Sequence, residues 1–343
     1  MTAPTFPLSY RAVELQTYNT NPVRAMLGLR VVNKSITHIA SNHLLIKMQA
    51  SPCNPSDIAF MQGGYNIHKT LPCVPGFEGT GIVVAVGAGI HADDWVGKRI
   101  SCFAQDDSDG TWAEYLIAKP EQLIPVDDNL TIDQAACFFI NPFTAYALFE
   151  IALQNNYQAL VINAAGSRVA DFMFTLAKQH KMKTLGIVRR QQTMETLRQK
   201  GFDHVLLSTG EFFAENLKAA LKQFDSCVAF DAVGGEQTGL IANCLPENSK
   251  IIVYGGLSGN AVTGINPMQL IFRKLSISGF NLNDWMNSVD DEKFNTVKNQ
   301  LAALLKSGEV QVPINIQVSI DEIVKGMRTY LGAMSEGKML IRF

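Results

Sequence analysis

The sequence predicts an α/β protein of two domains, one mostly β and one built on a doubly wound parallel sheet. Three observations carry that prediction. The chain of 343 residues is long enough for two packed cores. Up to about Val126 it reads as short strands between Gly and Pro turns. From Thr131 it turns helical and then alternates strand with helix, the pattern of a parallel sheet covered on both faces.

In the first part, Leu44–Ala50, Gly79–Val86, Arg99–Phe103 and Trp112–Ala118 are rich in β-branched and aromatic residues, which suit strands. In the second, Ala159–Asn163, Thr184–Val188, His204–Leu207, Cys227–Asp231 and Lys250–Tyr254 are apolar runs without alternation, as expected of strands buried on both faces. Helical stretches such as Val169–His180 and Glu211–Lys222 lie between them. A helix over Asp290–Ser307, an apolar segment at Ile314–Val318 and a last helix and strand are expected to rejoin the first domain. The expected domains are therefore residues 1–128 with 284–343, and residues 129–283.

A hydrophobic content of 47%, a charged content of 17% and a net charge of −2 describe a folded globular chain with no bias toward nucleic acid or anionic membrane. No apolar run reaches the roughly 20 residues that span a bilayer. Met1–Arg11 shows no targeting pattern, so a cytoplasmic enzyme is expected. The six cysteines are scattered without a Cys-x-x-Cys pair, and the six histidines lack His-x-x-x-His spacing. That spacing argues against a metal and for reduced core thiols.

The first strand and helix of the parallel sheet suggest a nucleotide site. Leu160-Val161-Ile162-Asn163 runs into Ala164-Ala165-Gly166-Ser167-Arg168-Val169-Ala170. A turn there would aim free helix amides at a pyrophosphate, although Gly-x-Gly-x-x-Gly is not met. Ala164, Ser167 and Ala170 are small enough for the turn, the backbone approach and the helix packing. An ordinary strand–helix unit would look similar, but Arg168 puts a cation in the first turn, where the helix dipole disfavours it unless a phosphate lies near. At the second strand's end, where NAD sites place an acid, the chain has Arg189-Arg190-Gln191. Two guanidinium groups favour a 2′-phosphate and so NADPH.

Residues 54–81 carry a resemblance. Asn54-Pro55-Ser56-Asp57, Gly63-Gly64-Tyr65 and Gly76-Phe77-Glu78-Gly79-Thr80-Gly81 resemble the core of the medium-chain dehydrogenase/reductase superfamily. Zinc-dependent members have Cys at the position of Asn54 and His at that of Phe77; an amide and a phenyl ring cannot replace them as ligands. The four-cysteine lobe of those enzymes is also missing, since Ser101–Thr111 holds only Cys102. Over nearly the whole chain the sequence is similar to the zinc-free 2-enoyl thioester reductases of mitochondrial type. The matches are Asn54–Asp57, Gln62–Tyr65, Gly110–Trp112, Asn141-Pro142 with Thr144–Tyr146, Asn163–Ala165, Val188-Arg189, Val233–Gly235, Tyr254–Gly256, and Ile271-Phe272 leading to Gly279-Phe280.

The resemblance implies a GroES-like catalytic domain and a Rossmann domain that binds NADPH. It implies nucleotide contacts from Asn141, Gly166, Ser167, Arg168, Val169, Arg189, Arg190, Gln191, Tyr254, Gly255, Gly256, Leu257, Phe280, Asn281, Leu282 and Lys338. It makes Tyr65 the catalytic acid; on the residues alone, Tyr65 reads as a tyrosine packing a loop. Arg168 and Ala170 stand where the family has glycine, and Asn281 where it has a bulky Trp. Asn54–Asp57 reads as a turn and helix cap, and Tyr146 with Phe138-Phe139 as core.

The expected reaction is NADPH-dependent reduction of the C=C bond of an α,β-unsaturated carbonyl, a trans-2-enoyl thioester, with an enolate met by Tyr65. A quinone oxidoreductase and a non-catalytic NADPH-binding redox sensor are the alternatives. Enoyl thioester, enone or quinone are the substrates in view, acyl carrier protein is a possible carrier, and a homodimer through an edge strand at Lys274–Asn281 is implied by analogy.

Overall fold

The computed structural model describes residues 9–334 and 336–343, so most of the N-terminal segment read above for targeting lies outside the described residues. The strands in chain order are β1 (Tyr10–Leu15), β2 (Leu29–Lys34), β3 (Leu44–Cys53), β4 (Glu78–Val86), β5 (Arg99–Phe103), β6 (Tyr115–Ala118), β7 (Leu123–Pro125), β8 (Ala159–Ile162), β9 (Lys183–Val188), β10 (His204–Leu207), β11 (Cys227–Asp231), β12 (Lys250–Val253), β13 (Ser276–Gly279), β14 (Ile314–Ser319) and β15 (Lys338–Arg342). The chain divides into two compact units, Met1–Ile140 with Ala302–Phe343, and Asn141–Leu301. These boundaries fall inside the helices Ile140–Gln154 and Asp291–Lys306, whereas the sequence reading divided the chain after residues 128 and 283.

In the first unit, the ladder runs β14-β15-β3-β4-β5-β7, with β6 also on β3. The C-terminal segment rejoins this unit through an antiparallel pairing of β15 with β3. Strand β3 is buried along most of its length because it has partners on both edges and packed faces. Its core gathers Phe60, Phe77, Trp112, Met327 and Met339, all at most 1% exposed. Such packing fixes the loop that carries Tyr65 and the start of β4, which carries Glu78.

The second unit is a six-stranded parallel sheet in the order β10-β9-β8-β11-β12-β13. The order reverses between β8 and β11, a switch point at whose carboxyl edge doubly wound sheets bind their ligands. Strands β8 and β11 are buried at every residue, which explains their unbroken apolar sequence. The strand expected over Trp112–Ala118 is shorter, since Trp112 lies before it with its indole N–H donating to the Pro52 carbonyl at 3.2 Å. All six cysteines are buried and unpaired.

Candidate active site

In the first unit the helix Pro55–Met61 starts at Asn54, but Asn54 does not cap it with its side chain. Its amide instead donates to Glu78 Oε2 at 3.0 Å and accepts from Lys338 Nζ. Glu78 Oε1 accepts from the backbone N–H groups of Phe139 and Ile140 at 2.8 and 2.7 Å. Asp57 accepts from the N–H of Asn54 at 2.6 Å and of Phe77 at 2.9 Å. Asn54, Asp57, Glu78 and Lys338 are all buried, so these contacts replace water. Burial pushes the Asp57 carboxyl up to about 7 against the pull of its two N–H donors. Burial raises Glu78 as well, opposed by the Lys338 charge.

A zinc ion does not suit this cluster. Its members satisfy one another, and among the described residues no group of three His, Cys, Asp or Glu could hold a metal. Lys338, which the resemblance assigns to the nucleotide, therefore has a buried partner inside its own unit.

Tyr65 lies in the bend that follows the helix Pro55–Met61, after Gln62, Gly63 and Gly64. Gly63, at φ +74°, takes the left-handed conformation that turns the chain after the helix. The Tyr65 ring lies against Phe77, with centroids 5.2 Å apart and planes tilted by 30°. Gln105 Nε2 donates to its hydroxyl oxygen at 3.1 Å. Burial raises the phenol's pKa, the Gln105 bond lowers it and the Asp57 charge raises it. Lys69 is buried too: its ammonium donates to the Ser108 carbonyl and lies 5.9 Å from the ring centroids of Phe60 and Phe77. Burial lowers its pKa. The hydroxyl of Ser56 is shielded from solvent and has no hydrogen-bond partner among the described residues. Gln105, Lys69 and Ser56 were not singled out from the sequence. Gln105 and Lys69 stand in polar loops with no motif, and Ser56 was read as part of a turn.

In the second unit, four groups of expected nucleotide contacts come together by topology, each just past the carboxyl end of a parallel strand. Gly166–Val169 follow β8, Arg189–Gln191 follow β9, Tyr254–Leu257 follow β12, and Phe280–Leu282 follow β13. Asn141 sits in the first turn of the helix Ile140–Gln154. Asn163 ties the switch point: its Nδ2 donates to Asp231 Oδ1 at 2.5 Å and to Gln237 Oε1 at 3.0 Å, and its Oδ1 accepts from the Ala232 N–H at 2.7 Å. Ala164 is held at φ +45°, a strained conformation for a residue with a Cβ. Ser167 caps the helix Arg168–Gln179 by accepting from the Ala170 N–H at 3.2 Å. A Cβ on Gly255 would come within 2.8 Å of the Ala232 carbonyl oxygen, so only glycine lets these two loops approach.

Two observations fit a phosphate-bearing nucleotide. The Tyr254 hydroxyl is shut off from solvent beside Ser167, without a partner of good geometry among the described residues. Arg189 is exposed and makes no side-chain hydrogen bond or ion pair among them. Arg168, in contrast, pairs with Asp171 at 2.9 Å, one turn along the same helix, and Asp171 also takes Lys200 at 2.6 Å. A carboxylate in the first turn thus offsets the cation that the sequence reading matched with a phosphate.

Comparison with known proteins adds to this geometry. Residues 40–128 match the family described as the alcohol dehydrogenase GroES-like domain, and residues 169–306 that described as zinc-binding dehydrogenase. The chain is 28% identical to the mitochondrial enoyl-[acyl-carrier-protein] reductase of Arabidopsis thaliana, over 92% of this chain and 84% of that protein. It is 30% identical to the mitochondrial enoyl-[acyl-carrier-protein] reductase of Dictyostelium discoideum, over 84% of this chain and 83% of that protein. A structure provisionally described as an NADPH:quinone reductase of Mesorhizobium loti superposes with a TM-score of 0.91 at 29% identity, over 99% of this chain and 100% of that one. The mitochondrial relatives overturn the expectation of a cytoplasmic enzyme. That expectation rested on Met1–Arg11 and on bulk charge, and bulk charge does not separate a cytosolic enzyme from an organellar one. No helix among the described residues is long and apolar enough to cross a membrane.

Proposed function

This chain belongs to the medium-chain dehydrogenase/reductase superfamily, in the branch without the zinc ligands, and on that premise we propose that it reduces the C=C bond of a trans-2-enoyl thioester with NADPH. The observation that carries the reading is Tyr65, a half-buried phenol fixed on the ring of Phe77, where zinc-dependent members have a ligand. The nucleotide, when bound, supplies a hydride. Its adenine-side phosphate would be met by Arg189 and Arg190 at the end of β9, and its pyrophosphate by the amides of Gly166–Val169 and the hydroxyl of Tyr254. Gly255, Gly256, Leu257, Phe280, Asn281, Leu282, Asn141 and Gln191 complete the contacts in this reading.

Tyr65 meets the negative charge that grows on the carbonyl oxygen as the β-carbon is reduced, and it returns a proton. General-acid help of this type contributes about 10²–10⁴-fold. The enzyme is read as a homodimer. Strand β13 is one of the two edges of its sheet, and the helix before it exposes Met268, Leu270, Ile271 and Phe272. A second copy would pair with β13 across a two-fold axis and cover these side chains.

The test follows the loss of reduced nicotinamide absorbance with a medium-chain trans-2-enoyl thioester, on coenzyme A and on acyl carrier protein, for wild type and Tyr65→Phe. Turnover that collapses in the variant while NADPH affinity holds supports the reading. The likeness to the Mesorhizobium loti structure favours a second reading, quinone reduction. Turnover of a quinone alone, undisturbed in Tyr65→Phe, would select it.

A further inference from the structure

We propose that Gln105 is a positioning residue for Tyr65, holding the phenol oxygen from behind so that the phenol's proton is turned toward the substrate. The proposal rests on Tyr65 being the acid. Gln105 Nε2 lies 3.1 Å from Tyr65 Oη as donor. A phenol has a single O–H and accepts through its lone pairs. An amide on the acceptor side leaves the proton to be given elsewhere.

The backbone places this contact through Phe77. Ala104 N–H donates to the Phe77 carbonyl at 2.8 Å, extending the β4–β5 ladder by one bond and setting Gln105 immediately after it. The ring of the same Phe77 supports the phenol. On the other side, Asp106 accepts from Gln122 Nε2 at 3.0 Å and from Ser108 N–H at 3.0 Å. Gln105 therefore projects between a backbone bond at Ala104 and an Asp106 whose carboxylate is held by Gln122 and Ser108, and Phe77 meets both the Tyr65 ring and the Ala104 N–H.

The charged groups around the phenol are Asp57, from the helix Pro55–Met61, and Lys69, whose ammonium lies on the Phe77 ring. Burial and the Asp57 charge both resist ionisation of Tyr65, whereas the Gln105 bond favours it. In the reaction the O–H bond of Tyr65 breaks, its proton passes to the substrate, and the electron pair stays on the phenolate oxygen until solvent restores the proton. A donor to that oxygen stabilises the phenolate and so speeds the transfer.

The experiment compares Gln105→Met, which keeps the length and loses the donor, with Gln105→Glu, which keeps the shape and offers an acceptor. Gln105→Met is expected to lower kcat about tenfold, the scale of a hydrogen bond to a charged group, with little change in KM. It should move the Tyr65 titration to higher pH, read by NMR of ¹³C-labelled tyrosine and assigned with Tyr65→Phe. Gln105→Glu should be worse, because a carboxylate draws the phenol's proton inward; a merely structural role would tolerate this shape-conserving change best. In a Tyr65→Phe background, Gln105→Met should add no further loss.

Wild-type kcat with an unmoved phenol titration in Gln105→Met would overturn the proposal, as would additive losses in the double variant. If Tyr65→Phe is inactive while Gln105→Met is unaffected, only the positioning role falls. If Tyr65→Phe keeps full turnover, the acid and its positioning residue fall together.

Discussion

Phe77 carries Tyr65 on its ring and Asp57 on its N–H, the Asp57 Oδ1 accepting at 2.9 Å. The position that holds a metal ligand in zinc-dependent relatives is here a packing centre: Phe77 is fully buried and also meets Phe60 edge-on, with centroids 5.3 Å apart. Phe77→Ala is expected to cost about 3–5 kcal/mol of stability by opening a cavity and to lower turnover by freeing Tyr65. NADPH affinity should be unchanged, since the expected nucleotide contacts past β8, β9, β12 and β13 belong to the other unit. Urea unfolding and a nucleotide titration check this; a parallel loss of NADPH affinity would show that the damage is global.

Arg189 and Arg190 stand exposed where the second strand of the parallel sheet ends. If they select the 2′-phosphate, Arg189→Ala with Arg190→Ala should weaken NADPH by about 10- to 100-fold, from the loss of charge-assisted hydrogen bonds. NADH should bind as before. Fluorescence titration with both nucleotides decides the matter, and equal weakening of the two would rule out a role in selecting the phosphate.

The strained Ala164 predicts a gain from glycine. At φ +45° its Cβ crowds the backbone, at a cost of about 1 kcal/mol. Ala164→Gly should raise the midpoint of thermal unfolding by roughly 2–4 °C. A lowered midpoint would mean that the restriction placed on the unfolded chain by alanine outweighs the strain.

The parallel sheet was legible because strands buried on both faces need unbroken apolar runs, and the runs at Ala159, Thr184, His204, Cys227 and Lys250 each became a strand of it. The buried cluster was not legible. Asn54 looked like a helix cap, the usual role of Asn before Pro, yet its side chain bonds Lys338, which is 284 residues away. No local pattern carries a contact of that range. The dipole argument for Arg168 did not weigh Asp171, which pairs with it one turn along the same helix. Gln105 lay in a polar loop, and only the ladder bond from Ala104 to Phe77 brings it to the phenol.

The cluster around Asp57 makes stability depend on pH in an unusual direction. Most paired carboxylates lose protons more readily on folding, so proteins gain stability as pH rises out of the acid range. Asp57 does the reverse: burial lifts it from 3.8 to about 7. The folded chain then binds a proton that the unfolded chain has released, and the unfolding free energy falls as pH rises from about 4 to about 7, then levels off. Glu78, also raised by burial, acts in the same direction. The Asp57 contribution across that window is on the order of 4 kcal/mol at most. Urea unfolding at several pH values between these limits should show a decline in wild type that is much shallower in Asp57→Asn, which cannot ionise. Parallel curves for the two proteins would show that Asp57 is ionised throughout, held by the N–H groups of Asn54 and Phe77 more strongly than burial opposes it.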